Sequence, residues 1–263
     1  MRSGKAGVLL RVLPWLILGM FSVCGWSCGG SSPQVRLDPR DQLVLSKHDF
    51  ERKKYMKVIP DFQVLTFNYP GTAEGMEAQF LLAESYRLSK QFDLAREAYQ
   101  DLIRDYPQSP RREEAQFKIG VAYLEESLPA EYDQELTWKA LEEFDVFLAE
   151  FPDSPILEQA RQAMNECREK MAEKDYKNGN LYLKMGYTEA ARRTFERVIE
   201  EYPTTRSAPP AFLGMARAYL KEKKREEAVP FLDRLIKEYP GTPEARAAQE
   251  RLGEIEGVSR EQG

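Results

Sequence analysis

Histidine occurs once in this chain, at His48, and cysteine three times, at Cys24, Cys28 and Cys167. A single imidazole cannot build a histidine metal cluster. A Ser-His-acid triad would hang on His48 alone, which reads as a surface residue on a weak helix. No glycine-rich phosphate loop is present; Gly71 and Gly241 follow prolines and read as turn residues. The adjacent carboxylates Glu113-Glu114, Glu142-Glu143 and Glu200-Glu201 do not face each other on a helix, so they read as solvated faces. No alternating strand pattern of useful length occurs. With a net charge of -5 and no large basic patch along the sequence, nucleic acid is not an expected partner. These absences predict no catalytic set, no metal, no cofactor and no enzyme.

What the chain does have is a repeat. Residues Phe212 to Thr242 read as one helical hairpin. Phe212, Met215, Ala216 and Tyr219 share one helix face, and Ala228, Phe231, Leu232 and Leu235 share another. Tyr239-Pro240-Gly241-Thr242 stops the second helix, because proline lacks an amide hydrogen and disfavours helical geometry in the residue before it. Thr242 then reads as a hydroxyl N-cap with Pro243 at the first helical position.

The same tail recurs at Tyr69-Pro70-Gly71-Thr72, Tyr106-Pro107-Gln108-Ser109, Phe151-Pro152-Asp153-Ser154 and Tyr202-Pro203-Thr204-Thr205. The prolines lie 37, 45, 51 and 37 residues apart. Eight residues before each proline stand Phe62, Tyr99, Phe144, Phe195 and Leu232. Twelve before stand Val58, Ala95, Ala140, Ala191 and Ala228, where helices must approach closely. The first helices carry Ser46, Ala83, Gly120, Gly179 and Ala216, followed three residues on by Asp49, Tyr86, Tyr123, Tyr182 and Tyr219. This pattern resembles the tetratricopeptide consensus, whose period is about 34 residues. It predicts an all-α tetratricopeptide-repeat superhelix of five helix pairs plus a capping helix ending near Leu252.

The first 27 residues read differently. Arg2, Lys5 and Arg11 precede an apolar run, Val12 to Val23, too short for a comfortable membrane span, as in a secretory signal. Gly25-Trp26-Ser27-Cys28 followed by Gly29-Gly30-Ser31-Ser32 resembles a lipoprotein cleavage site. Cys28 is the candidate lipidated residue, and Cys24 the less well-placed alternative. Removing residues 1–27 takes away three positive charges and leaves the mature chain at -8. Cys167, in a charged helical run, then reads as a half-buried helix residue.

The expected organisation is a signal peptide over 1–27, a tether over 28–40, repeats one to three over 41–153, a long helix with repeats four and five and the cap over 154–252, and a flexible tail over 253–263. Pro60 and Pro230 read as first-turn prolines. The third repeat holds an insertion around Leu128 to Thr137 beside Trp138, which reads as a packing residue first and a partner contact second. The run from Ser154 to Met185 predicts a helix of about 30 residues, near 45 Å long, with room for a kink at Asn178-Gly179.

Signal, lipobox cysteine, five YPxS/T-tailed repeats and the order of the irregularities together resemble the outer-membrane assembly lipoproteins of the BamD (ComL/YfiO) family, over about residues 24–252. The resemblance implies a periplasm-facing, lipid-anchored outer membrane scaffold. Its partners would be a BamA-like barrel assembly protein, other assembly lipoproteins and unfolded outer-membrane proteins, the first bound by C-terminal repeats and the last by N-terminal ones. The family's Asn-Arg pair maps onto Arg193-Thr194, with the arginine one place early. Arg192, Arg193 and Arg197 are therefore the candidate partner-binding residues. A scaffold for a different envelope complex, of Tol-Pal or peptidoglycan type, stays open on the residues alone.

Overall fold

The computed structural model describes residues 38–262. The expected signal peptide, Cys28 and nearly all of the tether lie outside the described residues. Among the described residues all regular structure is helical, in eleven helices. They form five antiparallel pairs: α1 (Pro39–Glu51) with α2 (Tyr55–Asn68), α3 (Ala73–Leu88) with α4 (Phe92–Asp105), α5 (Arg112–Glu126) with α6 (Glu135–Glu150), α7 (Leu157–Met185) with α8 (Thr188–Glu201), and α9 (Ala208–Lys221) with α10 (Arg225–Glu238). The last helix, α11 (Pro243–Gln262), packs on α10 and α9. Each helix contacts chiefly its neighbours in sequence, which is the packing of a tetratricopeptide solenoid.

The tails act as the sequence implies. Thr72 Oγ1 accepts from Gly75 N at 3.0 Å and donates to Tyr69 O at 2.9 Å. Thr242 Oγ1 repeats this, accepting from Ala245 N at 3.1 Å and donating to Tyr239 O at 2.9 Å. One hydroxyl thus caps the incoming helix and satisfies a carbonyl of the outgoing one.

The core follows the repeat positions. Val58, Phe62, Tyr99, Ala140, Phe144, Ala191, Phe195, Ala228 and Leu232 are all fully buried. The small positions exist for these rings. A Cβ on Gly120 would stand 2.6 Å from Phe144, and one on Gly179 would stand 2.6 Å from Phe195. Phe195 is held from the other side as well, since a Cβ on Gly214 would lie 2.5 Å from the same ring. Gly179 therefore marks a close helix approach, and α7 runs on as one helix through Asn178-Gly179.

Several boundaries differ from the sequence reading. α1 begins at Pro39, with the Asp38 side chain accepting from Arg40 N at 2.9 Å, so the last two residues assigned to the tether are already helical. Pro60 and Pro230 are interior to α2 and α10, one turn deeper than the expected first-turn position. The insertion in repeat three closes at Gln134, and Thr137 and Trp138 lie within α6. α11 continues past Leu252 to Gln262, where the sequence reading placed a tail.

Candidate functional site

The three arginines predicted on α8 point to different places. Arg192 is turned into the junction with the next repeat. Its guanidinium lies 4.8 Å from the centre of the Tyr219 ring and donates to Glu222 at 2.6 Å. The same device occurs two junctions earlier: Arg96 lies 4.1 Å from the centre of Tyr123 and pairs with Glu126 at 2.5 Å. Both arginines stand eleven residues ahead of their repeat's proline. Arg192 is thus a fastening between repeats, which takes it off the free surface. Arg197 reaches back to α7 and donates to the buried Asp175 carboxylate at 2.7 Å. Arg193 alone is well exposed, its side chain 77 % accessible and paired only with Glu189 one turn away. The structure therefore does not gather these residues into one patch.

Arg197 does line a cavity of about 480 Å³ between the start of α6 and the pair α7/α8, with Trp138, Asp175 and Tyr202. Trp138 is half-exposed at its rim, which favours contact over the packing role expected first. The inserted loop beside it is strapped to α7 by three lysines. Lys170 donates to Ser127 Oγ at 2.5 Å, Lys174 donates to Tyr132 O at 2.9 Å, and Lys177 pairs with Glu131.

The surface that sequence reasoning missed is on α2. Val58, Ile59, Phe62 and Leu65 are buried on one face. Met56, Val64 and Phe67 are exposed on the other, Phe67 at 85 %. Pro60, Val64 and Phe67 form one wall of a groove of about 810 Å³ whose far side carries Asp101, Asp105 and Tyr106 of α4 and its tail. The signal was present in YMKVIPDFQVLTFN, a segment apolar on both faces, which a simple surface helix is not.

The remaining polar groups are structural. Tyr99, Glu84, Arg87 and Glu125 form a chain of hydrogen bonds and ion pairs joining repeats two and three, with Arg87 to Glu125 at 2.6 Å. Burial pushes the Glu84 carboxyl up, but the Arg87 guanidinium outweighs it and holds the group below the usual carboxylate range. Four of the carboxylates expected on solvated faces are engaged: Glu143 accepts from Gln116 at 2.8 Å and is raised by burial, Glu113 accepts from Ser154 at 2.8 Å, and Glu114 and Glu200 pair with Arg111 and Arg234. Cys167 is fully buried, not half-buried, and burial pushes its thiol up to about 12. His48 is exposed. Among the described residues no three His, Cys, Asp or Glu side chains come together as a metal site, and no helix is long and apolar enough to cross a membrane.

Comparison with known proteins gives a consistent set of relatives. Residues 43–222 and 176–249 match the profile of the family YfiO, described as outer membrane lipoprotein. The chain is 25 % identical over 215 residues to the outer membrane protein assembly factor BamD of Caulobacter vibrioides, covering 81 % of this chain and 70 % of that protein. It is 24 % identical over 178 residues to the BamD of Rickettsia prowazekii, covering 68 % and 71 %. Among solved structures, the TPR2AB-domain:pHSP90 complex of yeast Sti1 aligns over 85 % of this chain and 84 % of that one, at 15 % identity and a TM-score of 0.46.

Proposed function

This chain belongs to the YfiO family of outer membrane lipoproteins, and from that premise we propose that it is a non-enzymatic scaffold of the machinery that inserts β-barrel proteins into the outer membrane. Cys28 carries the lipid, and the repeats face the periplasm. The N-terminal repeats hold segments of unfolded barrel proteins, and the C-terminal repeats dock a BamA-like subunit.

One observation carries the substrate half of this reading: the groove between α2 and α4, with Phe67 exposed and carboxylates opposite. An unfolded barrel strand alternates apolar and polar side chains. Pro60, Val64 and Phe67 suit the apolar ones, while Asp101 and Asp105 accept from backbone amides or basic residues. Phe67 touches no core, so Phe67→Asp leaves the fold intact. It should weaken binding of an unfolded barrel peptide about tenfold or more, as expected for loss of a buried aromatic anchor. Unchanged affinity in a titration would remove the groove from this role.

The docking half rests on Arg193, the most exposed of the three α8 arginines. Arg193→Glu should weaken binding to a fragment of the periplasmic repeats of the barrel subunit, and equal affinity for both forms would take Arg193 out of the interface. Recovery of a BamA-like protein with this chain from detergent extract tests the whole assignment. Its absence, with Tol-Pal or peptidoglycan-associated proteins in its place, would favour a scaffold of a different envelope complex.

A further inference from the structure

The first corner of the solenoid, between α1 and α2, reads Glu51-Arg52-Lys53-Lys54-Tyr55-Met56-Lys57. Its four cations are exposed, and so is Met56, at 66 %. The second corner lies against it. Gln91 Nε2 donates to Met56 Sδ at 3.1 Å, which brings the exposed Lys90 to the same patch. Arg52, Lys53, Lys54 and Lys57 form only a short run in sequence, and the fold enlarges it with Lys90 from a second turn.

Asp49 is occupied by Lys54 at 2.8 Å and Lys57 at 2.5 Å. Arg52, Lys53 and Lys90 have no ion pair among the described residues, so the corner is locally positive on a chain that is negative overall. Lys53 and Lys90 also hold left-handed backbone, with φ of 60° and 63°. Glycine fills such corners most readily, yet both carry a cation.

We propose that this corner seats on the anionic phospholipid headgroups of the membrane that holds the acylated amino terminus. The inference rests on the reading of Cys28 as the lipid anchor. Clustered lysine and arginine around an exposed apolar side chain suit a charged lipid surface, where each cation adds attraction and the apolar tip enters the headgroup layer. Reach allows it. The ten residues from Gly29 to Asp38 can extend at most about 35 Å. The thirteen residues of α1 rise only about 20 Å. The corner at the far end of α1 therefore stays within the tether's radius. A surface held that close meets its ligand at an effective concentration of order millimolar, so a weak affinity is enough.

The test uses the mature chain, residues 28–263, with Cys28→Ser so that no acyl chain contributes. Flotation is measured with vesicles of phosphatidylethanolamine and phosphatidylglycerol and with neutral phosphatidylcholine vesicles, at low salt and at about 0.5 M salt, where the screening length falls to a few ångströms. Binding should occur on the anionic vesicles at low salt only. Lys53→Glu with Lys90→Glu should reduce the bound fraction about tenfold or more, and the milder Arg52→Gln with Lys90→Gln should reduce it less. Lys223→Glu with Lys224→Glu, at the far corner, should leave it unchanged. Circular dichroism confirms that each variant is folded. No flotation, equal flotation on neutral vesicles, or an equal loss from the far-corner variant would overturn the proposal. So would a double Lys53/Lys90 variant that floats normally but no longer co-purifies with an acidic envelope protein, which would assign the corner to a protein. Membrane fractionation of the unaltered precursor separates the two readings. If the precursor partitions with membrane while the vesicles fail to bind, only the corner proposal falls.

Discussion

Phe195 is the residue on which the C-terminal half is fitted. Its ring lies between Gly179 on α7 and Gly214 on α9, and a Cβ at either would meet it at 2.6 or 2.5 Å. Helix propensity favours alanine over glycine by about 1 kcal/mol, but overpacking a tight core costs about 1–3 kcal/mol. The ring cannot swing away from one helix without striking the other, so overpacking wins. Gly179→Ala should lower stability by about 1–2 kcal/mol in a denaturant titration, and adding Phe195→Leu should recover part of the loss. Glu222 makes the matching electrostatic case. Hydrogen bonds from Lys224, Thr188 and Arg192 lower its carboxyl from 4.5 to about 2. A carboxyl lowered in the folded state contributes stability that is present above its unfolded pKa and lost as pH falls through the folded one. That loss should fall between about pH 4.5 and 2. A carbon-detected NMR titration should find Glu222 charged at pH 3, and Lys224→Met should move its midpoint upward.

At the scale of the helix pair, the turn inside four of the five hairpins is set by one left-handed residue. Lys53, Lys90 and Lys223 take φ of 60°, 63° and 63°, and Gly186 takes 89° in the equivalent place. A non-glycine residue there costs of order 1 kcal/mol. Lys223→Gly should therefore raise thermal stability by roughly 0.5–1 kcal/mol, read from melting curves. The exceptional hairpin is the third, whose loop is held by Lys170, Lys174 and Lys177. Lys174→Ala with Lys177→Ala should speed amide exchange across residues 128–134 while shifting the melting temperature little, because exposed ion pairs contribute under about 1 kcal/mol. Elements of this kind divide what a sequence can tell. The helix pairs, the caps at Thr72 and Thr242 and the length of α7 were all legible, because proline, hydroxyl and ring positions recur in fixed register. The roles of the α8 arginines were not. Whether Arg192 faces a partner or Tyr219 depends on how successive repeats are rotated, and periodicity within one helix does not contain that angle. The exposed face of α2 was legible in principle, since too many apolar residues stand in one short helix for a single buried stripe.

Across the whole molecule the repeats couple only through neighbours, and one junction is stepped. Tyr86 is covered by Gln63 at 2.8 Å, while Tyr123 and Tyr219 lie under Arg96 and Arg192. Tyr182, the equivalent on α7, is 38 % exposed and has no side-chain partner among the described residues. The reason is the length of α7: α6 packs near its beginning, so the later turns lack the helix that would normally precede them. Because coupling in a solenoid passes from one repeat to the next, Leu232→Ala should cost about 2–5 kcal/mol and speed amide exchange in α9 to α11. Exchange in α1 to α4 should not change. Equal acceleration throughout would mean the stack opens as one unit.

Cys167 lies beneath α6 on α7, and it is the one cysteine among the described residues, with its thiol raised to about 12. A thiol so poorly ionised and so enclosed reacts with disulfide or maleimide reagents only after the midsection opens. With Cys24 and Cys28 replaced by serine, the labelling rate of Cys167 becomes a clock for that opening, needing no added probe. A second cysteine placed on the surface could be tagged in the native state while Cys167 stays silent.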